Sequence, residues 1–314
     1  MLPGDDCAWA GRGIYRGMPK GDRVIGEINP TLRRRKIATE LRRLREEAGL
    51  NGVQVSRSLH WSTSKLSRLE TGQVAPSAED VAKLLDHYRI GPEPAALLLS
   101  LVGNHAAKGW WESYSDVLTE IGREFVGLED GASSLRTWGS NAVPGLLQTD
   151  AYCAEMTRLT RAVEIVPPGK VERRTRTWLR RQRRLFADPP LAYSAVIDEA
   201  VLRRRFGAAD DGLMREQLRH LLKLGDRPNI SIHVLLLEQS HPINFSHFVL
   251  LGFPSMPVLG PVSGDIVYSE DYPVAEVVED EERVYRYSVI FDLLKEAALD
   301  EEASRDCIAS LAGL

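Results

Sequence analysis

Between Ser62 and Arg68 the chain reads Ser-Thr-Ser-Lys-Leu-Ser-Arg, a run of small hydroxyls and two cations around a single leucine. Hydroxyls donate and accept at base edges, a guanidinium can fork onto a guanine, and an ammonium neutralises a phosphate. No carboxylate interrupts the run until Glu70. The chemistry available to Ser62, Thr63, Ser64, Lys65, Ser67 and Arg68 is therefore recognition in the major groove of DNA, not bond breaking. Thr71 and Gln73 extend the polar surface past the end of the run.

Such a face needs a helix to carry it and a second helix to hold that helix at an angle. Ser62 is an N-cap, opening a helix in which Leu66 and Leu69 point inward. Asn51 caps the preceding helix, for which Val53, Val55 and Leu59 supply an expected inward face before it ends near His60. Upstream, Leu32, Ile37, Leu41 and Leu44 recur at helical spacing, and Gly49 marks the C-terminal stop. Downstream, Ser77-Ala78-Glu79-Asp80 resembles a capping box and leads into Val81, Leu84, Leu85 and Tyr88. Gly91 and Pro92 end that helix, and Pro94–Val102 forms a last apolar one. Five helices in about 70 residues can enclose one small core.

Charge is distributed to suit this. The 314-residue chain has a formal net charge of −4. Residues 31–104 hold twelve Lys/Arg against eight Asp/Glu, while the 210 residues beyond hold 24 against 32. A basic head on an acidic body concentrates attraction for phosphates at one end. Cys7, Cys153 and Cys307 lie far apart and suggest neither a disulfide framework nor a zinc knuckle. Residues 1–30 are expected to form a flexible extension, without the apolar run of a signal peptide. No stretch approaches the length of a membrane span, and the expected compartment is the cytoplasm, with the nucleoid.

Beyond residue 104 the pattern changes to α+β. Helical periodicity runs through Tyr114, Val117, Leu118 and Ile121 to Phe125 and Leu128, and a long helix is expected over Lys170–Phe186. Strand-like runs occupy Leu135–Trp138, Leu191–Asp198, Ile230–Leu237, Phe248–Phe253 and Asp265–Ser269. Acidic Glu276–Glu282 leads into a long amphipathic helix through Tyr285, Val289, Leu293 and Leu294. The expected fold is mainly α: a five-helix head at 31–104, then a larger α+β body at 105–314 with a small sheet covered by helices.

Other residues invite chemistry and mostly decline it. His233, His241 and His247 fit no metal-ligand spacing, and no metal or cofactor is expected. Asp198–Glu199 could do acid/base work where a strand meets a helix, but acids at a helix start have a plain electrostatic role. Trp138 and the Val143–Thr149 turn either border a pocket or belong to the core. Lys170–Arg184 holds one Lys and seven Arg against Glu172 alone. Its arginines, with Arg173, Arg176, Arg180 and Arg184 as candidate partner-binding residues, are either a solvated face paired with Glu276–Glu282 or an anion-seeking surface. No nucleophile elbow, phosphate loop, HExxH or dinucleotide fingerprint appears, so an enzyme is not expected.

The runs Ala48–Leu50, Trp61–Gly72 and Pro76–Val81 together resemble the lambda-repressor-like (Cro/cI, XRE) helix-turn-helix domain in its actinobacterial form. Gly52 departs from it, standing where many such domains carry a phosphate-contacting Gln. The resemblance implies that Thr63, Ser64 and Arg68 face base edges, with Lys65, Ser67 and the Thr71–Gln73 turn nearer the backbone. In the body, Trp110-Trp111, Tyr114–Val117, Val126–Glu129, Val143–Thr149, Asp198–Arg203, Met214–Leu222 and Pro228–Val234 resemble, in that order, regulators of the WhiJ type. That resemblance implies an antitoxin-like regulator working beside a small BldB-like partner protein. The expected function is a homodimeric transcription regulator on an inverted repeat, whose body binds that partner. The alternative is a ligand-gated repressor whose body binds a small molecule, or, more remotely, an enzyme fused to a DNA-binding head.

Overall fold

The computed structural model describes residues 28–102, 108–160, 167–205, 211–256, 260–271 and 274–314. Of the expected N-terminal extension, residues 1–27 lie outside the described residues. Its last three residues are structural: Ile28 is buried, and Asn29 caps α1 (Pro30–Glu47) by accepting from Leu32 N at 3.0 Å. Pro30 takes the first helical position, where its missing N–H costs nothing.

The head continues with α2 (Gly52–Ser58), α3 (Thr63–Glu70), α4 (Ala78–His87) and α5 (Pro92–Val102). Leu32, Leu41, Val55, Leu66, Leu69, Val81, Leu84 and Leu98 fill its centre, each at most 2% exposed. Gly49, with φ +68°, turns the chain out of α1 in the left-handed conformation that glycine adopts without strain. Val53 departs from the expected inward face: it is 57% exposed, because Val55 alone of the three lies fully on the inner side of this two-turn helix.

The first α-helix of the body is α6 (Glu120–Gly131). The periodic run from Tyr114 to Ile121 is not one helix but a 3-10 turn at Trp110–Tyr114 followed by α6. Thr119 separates the two by capping α6, accepting from Gly122 N at 3.0 Å. There follow β1 (Ser134–Gly139), α7 (Asp150–Thr160), α8 (Pro168–Gln182), β2 (Ala192–Asp198), α9 (Glu199–Arg203), α10 (Asp211–Gly225), β3 (Ile230–Leu235) and β4 (Phe248–Gly252). The small pair β5 (Ser255–Met256) and β6 (Gly260–Pro261), then β7 (Ile266–Asp271), β8 (Val274–Val278), α11 (Glu281–Ala297) and α12 (Glu301–Ala312) complete the body. The fold is thus a helical head followed by an α+β body with a mixed six-stranded sheet.

Strand order is β3-β2-β1-β4-β7-β8. The first three strands run parallel, with Leu135 opposite Tyr193, and the rest pair antiparallel, with Leu135 opposite Leu251. Alternation along each strand makes two faces. Leu135, Tyr193, Ile232, Leu251 and Ile266 enter a core continuous with that of the head. Trp138, Val196, Phe248, Leu250 and Val267 face α11, which covers them with Ile290, Phe291 and Leu294. Strand β8 was not expected, since Glu276 and Glu279 disguise the Val274–Val278 run as part of an acidic helix lead.

Head and body meet along α1 and α6. A Cβ on Gly127 would come within 2.3 Å of Thr31 Oγ1, and one on Gly131 within 2.4 Å of Leu32 Cδ1, so the helices touch backbone to side chain. Asn29 Nδ2 donates to Gly127 O at 2.7 Å. Buried Lys36 donates to Glu40 at 2.8 Å and, across the interface, to Pro261 O at 2.9 Å. Arg35 bridges Glu124 of α6 and Glu279 just before α11. Among the described residues no helix is long and apolar enough to cross a membrane.

Candidate nucleic-acid interface

The geometry of α2 and α3 follows from caps at each end. Asn51 Oδ1 accepts from Gln54 N at 2.9 Å while Gln54 Oε1 accepts from Asn51 N at 2.8 Å, a reciprocal box that fixes the start of α2. Ser62 Oγ accepts from Lys65 N at 3.1 Å and starts α3. At the other end Gln73 N donates to Arg68 O at 3.0 Å and Gly72 N to Leu69 O at 3.2 Å. This is the Schellman pattern, and Gly72 adopts φ +67° to make it. A Cβ on Gly72 would sit 3.5 Å from that of Ala38, so the stop is also where α3 abuts α1.

With both ends fixed, Leu66 and Leu69 are buried and Thr63, Ser64, Ser67 and Arg68 stand exposed on the opposite side. Ser62, Thr71 and Gln73 are exposed at the two ends. The Ser62 oxygen is engaged in capping but its hydroxyl proton is not, and the Thr71 hydroxyl donates back to Ser67 O at 2.8 Å. Glu70, the first carboxylate after the run, is forked by Arg45 at 2.8 and 2.9 Å, which neutralises it beside the face. A shallow concavity between the helices, bordered by Arg42, Gln54, Val53, Thr63 and Ser67, leads onto the same face. A Cβ added at Gly52 would make an ordinary contact, with Leu66 Cδ2 at 3.7 Å. Packing therefore does not demand a glycine at this position.

Lys65 is placed differently from its neighbours. Its Nζ lies 2.6 Å from Asp80 at the start of α4 and 4.0 Å from the centre of the Trp61 ring. The cation is thus already held by a carboxylate and an aromatic face. Asp80 had no sequence signal as a neighbour of this run, being fifteen residues away on another helix.

The arginine-rich α8 differs most from expectation. Arg181 is buried and forks onto buried Glu129 at 2.6 and 2.7 Å, with Trp178 4.0 Å from its guanidinium. Arg184, expected on the surface as a partner contact, is buried and donates to the carbonyls of Asp130, Ala132 and Pro189, each at 3.0 Å. It holds the turn between α6 and β1. Arg173 pairs with Asp116 at 2.8 Å, Arg176 with Glu172 at 2.6 Å, and Arg180 lies over Trp110. Among the described residues the acids seen paired with this helix include Asp116, Glu129 and Glu172, while Glu276 pairs instead with Arg283.

Other candidates have structural partners. Asp198 caps α9, and Glu199 accepts from Arg203 and from Leu237 N. Trp138 is a core residue whose Nε1 donates to Phe245 O at 2.9 Å. His233 Nδ1 bonds Leu299 O at 2.9 Å. Among the described residues no group of three or more His, Cys, Asp or Glu side chains is placed to hold a metal ion.

Two family patterns match this chain. A Helix-turn-helix domain family (HTH_31) matches residues 36–98, and the Domain of unknown function (DUF5753) matches residues 122–310. No curated protein and no solved structure matches it. The helix-turn-helix match runs from within α1 to within α5 and points to a DNA-binding regulator.

Proposed function

The chain belongs to the DUF5753 family, with a helix-turn-helix head before the shared body, and from that premise we propose that it is a sequence-specific DNA-binding transcription regulator of the lambda-repressor-like, XRE type. The observation that carries this is the two-sided character of α3. Leu66 and Leu69 lock it to the head while Thr63, Ser64, Ser67 and Arg68 stand exposed, and Glu70 at the end of the run is paired with Arg45. In this reading Thr63, Ser64 and Arg68 meet base edges. Ser62, Lys65, Ser67, Thr71 and Gln73 lie along the backbone, with Lys65 first having to leave Asp80. One head offers too few readable side chains to find a site in a genome, so two heads act together on an inverted repeat.

The division of labour runs near residue 104, with the head reading DNA and residues 105–314 regulating it. Lacking a catalytic motif, the body is read as a WhiJ-type, antitoxin-like module that takes a small BldB-like protein partner. Arg173, Arg176 and Arg180 remain candidate contacts for it, and Arg184 is withdrawn from that set because its guanidinium is consumed internally. The working place of such a regulator is the cytoplasm, at the nucleoid.

The test is selection of bound sites from random duplexes, followed by anisotropy titrations with the chain and its Thr63→Ala/Ser64→Ala/Arg68→Ala variant. The expected result is an enriched two-fold site that the triple variant no longer prefers over random duplex. Arg68→Ala alone should cost about 1–3 kcal/mol if it forks onto a guanine. Unchanged preference in the triple variant would overturn the assignment.

A further inference from the structure

Among the described residues, three charged side chains border the concavity between α1, α2 and α3, and two of them cancel. Arg45 and Glu70 hold each other in a forked pair with both side chains mostly buried. Arg42 is the third. Its Nε donates to Glu46 at 3.0 Å, but the two side chains are 63% and 53% exposed, and water weakens so open a pair. Both terminal nitrogens of the Arg42 guanidinium are left without a hydrogen bond. Glu46 also has Arg45 at 3.5 Å, so it is not stranded if Arg42 turns away.

Gln54 brings a second donor to the same concavity. Its Oε1 accepts from Asn51 N at 2.8 Å, and only the oxygen of an amide can accept, so the capping box decides which end is spent. Nε2 is the end left over, and it donates to nothing among the described residues. The Ser67 hydroxyl, on the α3 side, is likewise without a hydrogen bond there.

We propose that this concavity seats one phosphate of the duplex backbone, with the Arg42 guanidinium as counter-charge and the Gln54 amide and Ser67 hydroxyl as further donors. The proposal rests on the reading above that α3 lies in the major groove. That reading lays Ser67 and Thr71 along the backbone, and both border the concavity, so the strand flanking the groove passes its mouth. A phosphodiester matches the donors. It brings one negative charge to the one cation not cancelled in the wall, and its two free oxygens accept without a proton to give. The contact reads no base. It fixes the register of α3 on the duplex, and it does so through donors from three helices.

Anisotropy titrations compare the full unmodified chain with Arg42→Gln and with Gln54→Glu, which keeps an acceptor for the capping box. Arg42→Gln should weaken binding to the selected and to random duplexes alike, by about tenfold, and lower the slope of log affinity against log salt by about one. Gln54→Glu should weaken both as well, because it sets a carboxylate beside the phosphate. Duplexes with single phosphates replaced by neutral methylphosphonates locate the contact. In each half-site one replacement should weaken the unmodified chain and leave Arg42→Gln unaffected. No such position, or undiminished affinity in either variant, overturns the proposal. A change in which sequences are preferred by Arg42→Gln means that Arg42 reads a base, and overturns it too. If millimolar inorganic phosphate at constant ionic strength raises the melting temperature of the unmodified chain but not of Arg42→Gln, while no methylphosphonate has an effect, the concavity takes a free anion and the proposal is wrong. If the Thr63→Ala/Ser64→Ala/Arg68→Ala variant keeps its sequence preference, the reading of α3 falls and this seat with it. If that variant loses preference while Arg42→Gln binds like the unmodified chain, the seat alone is wrong.

Discussion

Arg45 and Glu70 join the end of α1 to the end of α3 through a forked pair, Nε to Oε1 at 2.8 Å and Nη2 to Oε2 at 2.9 Å, with both side chains mostly buried. A third donor of the same guanidinium reaches Leu50 O at 2.9 Å, so the turn into α2 hangs on it as well. The carboxylate holds the Arg45 guanidinium above its ordinary pKa, so its charge is permanent. The Glu of the Glu-Thr-Gly run is therefore a brace for α3, not a contact of its exposed face.

Glu70→Ala should destabilise the chain by about 2–4 kcal/mol, because it leaves a largely buried guanidinium without its partner. Urea melts followed by circular dichroism check this. The expected signature is loss of stability together with loss of DNA affinity. A variant that keeps full stability would show that the brace is dispensable.

The Lys65–Asp80 pair leads to a gain of function. Asp80→Asn keeps the backbone bond to Ser77 Oγ and removes the carboxylate that holds Lys65 away from phosphate. Affinity for all duplexes should rise, and the slope of log affinity against log salt should steepen by about one. Titrations at three salt concentrations read both. An unchanged slope would mean that Lys65 stays with Trp61 on DNA.

How much of this could be read beforehand depended on distance along the chain. The caps at Asn51, Ser62 and Ser77 and the inward pair Leu66/Leu69 are local patterns within one or two turns, and all are in the structure. Val53 misled because a seven-residue helix buries a narrower stripe than its apolar residues suggest. Lys65–Asp80 and Arg181–Glu129 join different helices, the latter across 52 residues, and nothing local marks them. An arginine reads as surface in a sequence; Arg181 and Arg184 are buried because Glu129 and three carbonyls meet their donors there. Strand β8 was hidden because an edge strand tolerates acids on its open side.

The seat of the head on the body can be tested with one methyl group. Gly131→Ala would press on Leu32, which is buried, and on Asn29 Nδ2, which is tied to Gly127 O and Asp130. A loss of about 1–3 kcal/mol is expected from overpacking. Gly225→Ala, where nothing lies within 4 Å, is the control and should change stability by less than about 0.5 kcal/mol. Thermal melts of the two variants compare them directly. Equal melting temperatures would show that α1 yields to α6.

Acid should destabilise the chain before its carboxylates titrate. Burial holds His220, His233 and His247 below their ordinary pKa of 6.5, since the interior disfavours the imidazolium. Protonation of His233 would also introduce a buried charge near Lys295, which opposes it. The sign follows from counting protons. Below 6.5 the unfolded chain takes up a proton at each histidine while the folded chain does not, so stability is full above that value and falls with falling pH. The decline continues until the lower folded values are reached. Each histidine contributes at most about 1.4 kcal/mol per pH unit within this window. Urea melts at pH 7.5 and 5.5 should therefore show a lower midpoint at 5.5, and His233→Gln should narrow the gap. Equal midpoints for the unmodified chain at the two pH values would show that these side chains find water or a partner when protonated.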